Sequence, residues 1–258
     1  MVSNRFIAIT RQVSRSINDC ELTHLNRQPI DLTLARMQHS AYETALSRMG
    51  CQVIQLAEEP GLPDAVFVED VALVFPEVAI LTYPGADSRL PERESVREAL
   101  THWRPIREVP FPARLDGGDV LVLRQEVFVG MSSRSNPAAV VALQDILGEF
   151  NYRVTGVTLN DCLHLKSAVT QVGEDSLLIN PNWIDPGTFP GWNRIEVAAG
   201  ENYAANALWI DDAVIYPTAF PKTAEILRSS DITLELVDLS ELQKAEGAVT
   251  CCSLVFKP

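Results

Sequence analysis

The sequence contains no apolar run long enough to cross a membrane. The longest apolar stretches, such as residues 138–143, span only a few residues, whereas a membrane helix needs about 20. The first six residues also lack the basic and then apolar pattern of a secretion signal. We therefore expect no membrane partner and a cytoplasmic location.

Basic residues are too few for a nucleic-acid-binding protein. The chain has 21 Lys and Arg against 34 Asp and Glu, which gives a formal net charge of −13. This charge disfavours binding to nucleic acid or to an anionic membrane surface, because both are polyanions. It is compatible with a small cationic ligand.

Cysteine is also sparse, and its spacing is informative. Five cysteines form an odd set without metal-type spacing, which favours a reducing compartment over a disulfide framework. We expect neither a bound metal nor a cofactor. Cys20, Cys51 and Cys162 are interpreted as packing residues.

What the chain does have is enough apolar sequence for a large core. It has 258 residues, of which 47% are hydrophobic, and no linker-like break divides it. We therefore predict a single domain over residues 1–258. Strands are predicted at 5–10 and 51–56, a long loop at 11–29, and helices at 31–49, 91–103, 136–150, 221–228 and 240–246.

A recurring pattern organises the rest of the sequence. Five short polar segments each precede an apolar strand, and they lie at 68–70, 116–119, 164–167, 202–206 and 250–253. Their marker residues, Asp70, Asp119, Lys166, Asn206 and Cys251, are 49, 47, 40 and 45 residues apart. Such a repeat predicts a closed ring of α/β modules in which the polar segments meet near one axis. The alternative is an ordinary α/β sheet with similar hairpins.

The last polar segment contains two adjacent thiols, Cys251 and Cys252. Neighbouring cysteines do not easily form a disulfide, because the bond requires a particular separation and dihedral angle. Neighbours in extended chain also point to opposite faces. If one thiol faces the core, the other is a candidate nucleophile.

A cysteine nucleophile needs a proton donor for its leaving group, and histidine suits this task. Of the four histidines, His24, His39 and His102 lie among polar residues and are expected to be solvated. His164 lies in the third polar segment between leucines. Asp116, in the second segment, is a candidate to hold His164, although an Asp-Gly pair is also a common turn signal.

Two carboxylates, Glu69 and Asp70, interrupt an apolar run at 67–75. A buried, unpaired carboxylate is costly, so both need a cationic partner. That partner is either a structural arginine or a cationic substrate.

Six motifs follow one another along the chain: PDAVFVED at 63–70, PGADSR at 84–89, LDGGDV at 115–120, VGMSSR at 129–134, LHLKS at 163–167 and TCCS at 250–253. Together, and in this order, they resemble those of dimethylarginine dimethylaminohydrolase, a family of guanidine-modifying enzymes. The resemblance implies an α/β fold built as a five-bladed pseudosymmetric αβ propeller. It also implies hydrolysis of Nω-methylated arginine to citrulline and a methylamine through a covalent cysteine thiouronium intermediate.

The resemblance further implies roles for eleven residues. Cys251 would attack the guanidinium carbon, His164 would protonate the departing amine and then activate water, and Asp116 would orient His164. The remaining eight would bind substrate: Asp64, Glu69 and Asp70 at the guanidinium, Arg89 and Arg134 at the α-carboxylate, Leu22 from a lid, and Ala245 and Glu246 through main-chain atoms. At the last two positions the family more often has a larger aliphatic residue and an aspartate.

Two other functions remain open from the sequence. The first is an arginine deiminase or a hydrolase of another guanidino amino acid, although the chain is short for a typical deiminase. The second is a non-catalytic arginine-binding or zinc-binding protein, with Cys251 and His164 among the metal ligands. A homodimer is possible from the sequence, but no segment identifies an interface.

Overall fold

Five separate three-stranded sheets contain the fifteen strands in residues 5–258, the part of the chain that the computed structural model describes. Residues 1–4 lie outside this part. They belong to the first six residues, in which the sequence shows no secretion signal. In every sheet the middle strand pairs antiparallel with one neighbour and parallel with the other. The five sheets confirm a mixed α/β fold with a repeated unit. The alternative prediction, one ordinary α/β sheet with similar hairpins, is wrong.

Four sheets each use three consecutive strands, whereas the fifth joins the two ends of the chain. Strand β15 pairs with β1, which pairs with β2. The strands are β1 Phe6–Arg11, β2 Cys51–Leu56, β3 Ala72–Val74, β4 Ala79–Leu81, β5 Ile106–Glu108, β6 Val120–Leu123, β7 Glu126–Met131, β8 Arg153–Thr158, β9 Val169–Gln171, β10 Ser176–Ile179, β11 Asn193–Glu196, β12 Leu208–Ile210, β13 Ala213–Pro217, β14 Thr233–Val237 and β15 Leu254–Phe256.

The α-helices are α1 Leu32–Arg48, α2 Arg93–Thr101, α3 Pro137–Leu147, α4 Leu165–Ala168, α5 Pro221–Ser229 and α6 Ser240–Gln243. The predicted caps are confirmed, since the side chains of Asp31 and Asn136 accept backbone N–H groups at the starts of α1 and α3. Three predicted helices are too long. Helix α2 begins after a 3₁₀ turn, α3 ends in a 3₁₀ turn over Gly148–Phe150, and α6 is followed by Glu246 in the left-handed conformation with φ +60.

The predicted convergence of the polar segments is confirmed by a cycle of hydrogen bonds. Each segment contacts the next, and the fifth returns to the first. The bonds are Gly118 N to Asp70 Oδ1 (3.0 Å), Leu165 N to Asp119 Oδ1 (3.0 Å), Asn206 Nδ2 to the Lys166 carbonyl (3.0 Å), Thr250 N to Asn206 Oδ1 (3.1 Å) and Thr250 Oγ1 to Glu69 Oε2 (2.7 Å). The sequence places these groups far apart, so the fold gathers five polar turns at one place.

Helix α1 anchors the turn that carries the thiol pair. The buried Tyr42 hydroxyl donates to the Val249 carbonyl at 2.8 Å and hydrogen-bonds the Ser253 hydroxyl at 2.6 Å. Tyr42, Cys252 and Val249 belong to the same apolar cluster. A buried hydrogen-bonded network of this kind fixes local conformation, because any broken bond would leave a polar atom without water.

No helix within residues 5–258 is both long enough and apolar enough to span a membrane. All five cysteines are buried free thiols, including the three predicted to pack in the core.

The prediction that His39 is solvated is wrong. Its side chain is buried on α1, its Nε2 has no hydrogen-bond partner, and its Nδ1 lies 3.6 Å from a carboxylate oxygen of Glu43. Burial lowers the pKa of His39, and the neighbouring Glu43 only partly opposes this. His24 and His102 are exposed, as predicted.

The buried His39 predicts loss of stability in acid. A folded-state pKa below the unfolded value of about 6.5 gives stability that is complete above that pH and is lost as the pH falls. His39→Gln should therefore flatten the decline in the free energy of unfolding between about pH 7.5 and pH 5. Urea unfolding across this range measures the effect, with the exposed His102→Gln as control. An unchanged slope in His39→Gln would contradict the prediction.

Candidate active site

Cys251 and Cys252 lie in the turn before β15 and have different surroundings. Cys251 is 8% exposed and lines a small cavity of about 30 Å³ together with His164, Asp70 and Asp116. Cys252 is 0% exposed, and its Sγ lies 3.4 Å from the Ala248 carbonyl within the core. Only Cys251 is therefore placed to meet a ligand in this cavity.

The environment of Cys251 keeps its thiol protonated at rest. Burial raises the pKa of Cys251 well above its ordinary value, and the nearby charges of Glu69 and Asp70 raise it further. A cation bound beside the sulfur would oppose this effect by stabilising the thiolate. The site can therefore couple ionisation of Cys251 to the arrival of a positive ligand.

His164 is held between carboxylates. Its Nε2 lies 3.1 Å from Asp116 Oδ2, and its Nδ1 lies 4.0 Å from Asp70 Oδ1. Burial alone would lower the pKa of His164, but Asp70, the hydrogen bond to Asp116 and the charge of Asp119 together raise it to about 9. At neutral pH the ring is an imidazolium, which is the form that can donate a proton.

The glycines beside Asp116 are needed for close packing around the histidine. A β-carbon on Gly118 would lie 2.6 Å from His164 Nδ1 and 2.9 Å from Asp70 Oδ1. A β-carbon on Gly117 would lie 2.0 Å from the Glu69 carbonyl oxygen. Only glycine lets the second polar segment approach the first and third this closely.

The two carboxylates of the first segment have protein partners. Glu69 accepts from Lys166 Nζ at 2.5 Å and from Thr250 Oγ1 at 2.7 Å. Asp70 accepts from Arg89 Nη1 at 2.6 Å and from the Gly118 amide at 3.0 Å. Because Asp70 lines the cavity with Cys251 and Glu69 does not, Asp70 is better placed to meet a guanidinium directly.

The two arginines predicted to bind a carboxylate differ in their availability. Every nitrogen of the Arg89 guanidinium already donates to a protein group, chiefly the carboxylates of Asp70 and Glu92. Arg134 is half-buried, and its Nη2 donates to the hydroxyl of Thr23 at 3.0 Å. Arg134 can exchange this one neutral partner for a carboxylate, whereas Arg89 would have to leave two carboxylates.

The remaining predicted residues surround the cavity. Asp64, Ala245 and Glu246 line it, and burial raises the pKa of Asp64. Leu22 is half-buried and packs against the large apolar cluster rather than lining the cavity. Within the described residues, nine of the eleven predicted site residues therefore share one cavity, and Leu22 and Glu69 lie just outside its lining.

Asp119 is a site residue whose role the sequence did not reveal. It is 0% exposed, accepts from the hydroxyls of Ser132 and Ser135, and accepts from the amide of Leu165, which follows His164. Ser135 in turn accepts from the Asp116 amide at 3.2 Å. Asp119 thus holds the backbone beside His164 directly, through the Leu165 amide, and the backbone of Asp116 indirectly, through Ser135. A carboxylate directly before an apolar strand was the available signal.

Three side chains of the site also form a possible cation site. One ligand atom from each of Asp70, Asp116 and His164 lies within 4.8 Å of the others. Metal binding requires a deprotonated histidine nitrogen, so the raised pKa of His164 opposes it at neutral pH.

The fold is shared with enzymes of known structure. The chain superimposes with a TM-score of 0.92 and 31% identity on a Pseudomonas aeruginosa dimethylarginine dimethylaminohydrolase, a cysteine-to-serine mutant complexed with citrulline, covering 96% of this chain and 98% of the other. A cyanobacterial arginine dihydrolase domain superimposes with a TM-score of 0.87 at 20% identity, covering 97% of both chains. The second likeness concerns the fold alone.

Sequence comparison gives the family. A family model for N,N dimethylarginine dimethylhydrolase of eukaryotic type matches residues 8–188. The N(G),N(G)-dimethylarginine dimethylaminohydrolase of Pseudomonas aeruginosa is 32% identical over 96% of this chain and 98% of its own length. The enzyme of the same name from Streptomyces coelicolor is 34% identical over 96% and 95%. With these matches and a cavity that joins a buried thiol to a histidine between carboxylates, the chain belongs to the dimethylarginine dimethylaminohydrolase family.

Proposed function

We propose that this protein hydrolyses Nω-methylated arginine to citrulline and a methylamine. The observation that carries the proposal is the shared cavity of Cys251, the protonated His164 and Asp70. It brings together a nucleophile, a proton donor and a group that binds cations. A hydrolase acting on carbon–nitrogen bonds of a guanidinium needs all three.

We also propose a single catalytic domain whose five sheets form a five-bladed pseudosymmetric αβ propeller. The cyclic hydrogen bonds between the polar segments and the sheet shared by the two chain ends support this arrangement. A closed ring places every strand start near the axis, so each repeat contributes to the same site. In this interpretation the catalytic groups come from the second, third and fifth repeats.

Each charged end of the substrate would bind protein groups of the opposite charge. Asp70, with Asp64 and Glu69 nearby, offers negative charge to the planar guanidinium, and Arg134 offers a guanidinium to the α-carboxylate. Such planar pairs form parallel charge-assisted hydrogen bonds. Arg89 would hold Asp70 in place and contact the carboxylate only if its own ion pairs rearranged.

The first half of the reaction forms the covalent intermediate. Binding of the guanidinium cation lowers the cost of ionising Cys251, and the thiol proton leaves to solvent. The thiolate sulfur attacks the guanidinium carbon and forms a carbon–sulfur bond. The bond from that carbon to the methylated nitrogen then breaks, and the leaving nitrogen takes the proton of His164. The products are a free methylamine, a cysteine thiouronium and a neutral His164.

The second half releases citrulline. Neutral His164 takes a proton from water while the water oxygen attacks the thiouronium carbon. The carbon–sulfur bond breaks, its electron pair returns to sulfur, and the oxygen's remaining proton passes to that sulfur as the carbonyl forms. Cys251 and His164 return to their starting states. Asp116 stabilises the imidazolium at both stages and keeps the ring oriented.

Substrate preference is tested by direct assay. We expect citrulline to form from asymmetric dimethylarginine and monomethylarginine with a kcat/KM at least about tenfold above that for arginine. A preference for arginine would instead assign a deiminase, and turnover of no guanidino compound would contradict the hydrolase proposal. Isothermal titration with zinc tests the non-catalytic alternative, for which binding should be tight and unaffected by dimethylarginine.

A further inference from the structure

Residues 20–30, which we call the lid, form a loop that is tied together at its base. Asn18 Nδ2 donates to the Ile30 carbonyl at 3.1 Å, and the Ile30 amide donates to Asn18 Oδ1 at 2.8 Å. Arg27 Nη2 donates to the Cys20 carbonyl at 2.6 Å. These bonds close the loop on itself.

One carboxylate binds the tip of this loop. Glu246 accepts the backbone amides of Thr23 at 2.9 Å, His24 at 2.5 Å and Leu25 at 2.6 Å. Three consecutive amides that converge on one anion form a backbone anion nest, and each bond is strengthened by the charge of the carboxylate. Glu246 is therefore the principal connection between the lid tip and the body of the protein.

The segment that carries Glu246 is itself firmly held. A β-carbon on the next residue, Gly247, would lie 2.2 Å from Phe67 Cε1, so the backbone packs directly against the residue preceding the first polar segment. Ala245, Glu246 and Gly247 all line the catalytic cavity. The carboxylate thus links the lid to a rigid wall of the site.

The lid also touches two residues of the proposed substrate site. The Glu21 amide donates to Asp64 Oδ2 at 3.1 Å, and the Thr23 hydroxyl accepts from Arg134 at 3.0 Å. The cavity beneath it is small, about 30 Å³, and Glu21 of the lid is among its lining residues. Opening of the lid would widen access to the cavity, and the bonds to Glu246 must break when it opens.

We propose that the Glu246 carboxylate is a positioning residue that sets the equilibrium between the closed and open lid. It acts through Thr23 on Arg134, and its effect on catalysis rests on the proposed function. Closure of the lid completes the site around the substrate carboxylate. Loss of the bonds to Glu246 therefore weakens substrate binding more than it slows the chemical step.

Hydrogen exchange in the free protein tests whether Glu246 holds the lid, and it needs no substrate. In Glu246→Ala, which keeps a β-carbon and hence the same backbone constraint, the amides of Thr23, His24 and Leu25 should exchange at least about tenfold faster. Glu246→Gln should give an intermediate rate because its carbonyl oxygen accepts without full charge, and Glu246→Asp should restore most of the protection. Unchanged exchange in Glu246→Ala would overturn the proposal.

A matched control is available in Glu201, whose carboxylate accepts the amides of Lys222 and Thr223 at the start of α5. Glu201→Ala should speed exchange there and leave the lid amides unchanged. If the lid amides of Glu201→Ala exchanged as fast as those of Glu246→Ala, the proposal would also be overturned, because this would show a general loss of stability.

Kinetics provides the functional readout. Glu246→Ala should raise the KM for dimethylarginine about tenfold, with a smaller change in kcat, and Glu246→Asp should restore it. Equal losses in kcat and kcat/KM would overturn the positioning role. If the wild-type protein turned over no guanidino compound, the proposed function would fail, while the exchange experiment would still decide whether Glu246 holds the lid.

Discussion

Replacement of Cys251 by serine should reduce citrulline formation from dimethylarginine by about 10⁴-fold or more. A serine hydroxyl in the same surroundings, buried and beside Asp70, would be far harder to ionise than the thiol. The structure places no substitute nucleophile at this point among the described residues lining the cavity. Colorimetric detection of citrulline at saturating substrate measures the loss, and circular dichroism checks that the fold is retained.

The adjacent thiol provides the control. Cys252 is fully buried and contacts the Ala248 carbonyl, so Cys252→Ser should lower stability by about 1–2 kcal/mol and retain most activity. If Cys252→Ser were inactive and Cys251→Ser active, the assignment of the two thiols would be wrong.

His164→Gln should lower kcat by about 10²- to 10⁴-fold, the usual contribution of a positioned acid or base. In the proposed mechanism the imidazolium is the active form, and the pKa of His164 is raised to about 9. The profile of kcat/KM against pH should therefore fall above about pH 9, because the proton needed by the leaving amine is lost there. The residual rate of His164→Gln should not show this dependence on pH.

Asp119 offers a second test of the same assignment. It contributes to the raised pKa of His164 without lining the cavity, so Asp119→Asn should move the alkaline limb to lower pH. Folding stability follows the same linkage: a raised folded pKa gives stabilisation that is complete below the unfolded value of about 6.5 and is lost as the pH rises through about 9. An alkaline limb that stayed in place in Asp119→Asn would contradict the electrostatic account.

Local signals in the sequence predicted much of the fold. Asp31 and Asn136 cap helices, since an N-cap acts on amides two or three residues away. The prediction of β2 at residues 51–56 is confirmed in full, and the polar segments precede β3, β6, β9, β12 and β15. These features depend on neighbouring residues, which is why a single sequence contains them.

Charge burial was harder to predict because it depends on distant partners. Arg11 ends β1 and is 0% exposed, because Glu59, Glu92 and Ser95 from later segments surround it. His39 is buried although its sequence neighbours are polar. Neither environment can be deduced from spacing along the chain.

The arginines show the same limit at the site itself. Arg89 and Arg134 are equivalent by residue type, yet Arg89 is bound by Asp70 and Glu92, whereas Arg134 contacts a threonine hydroxyl. A guanidinium already paired with two buried carboxylates is costly to move. Availability for substrate is therefore a property of the packed structure.

By itself, the sequence determined the set of reactive groups: two thiols, a histidine in a polar segment, and carboxylates and arginines in six ordered motifs. Only the tertiary structure decided which of them share a cavity, how the surroundings of the two thiols differ, and that Glu246 binds the lid. The physical reason is distance. Motifs are local, whereas pKa values, ion pairs and lid contacts arise between groups up to 223 residues apart, as between Thr23 and Glu246, that only the folded chain brings within a few ångströms.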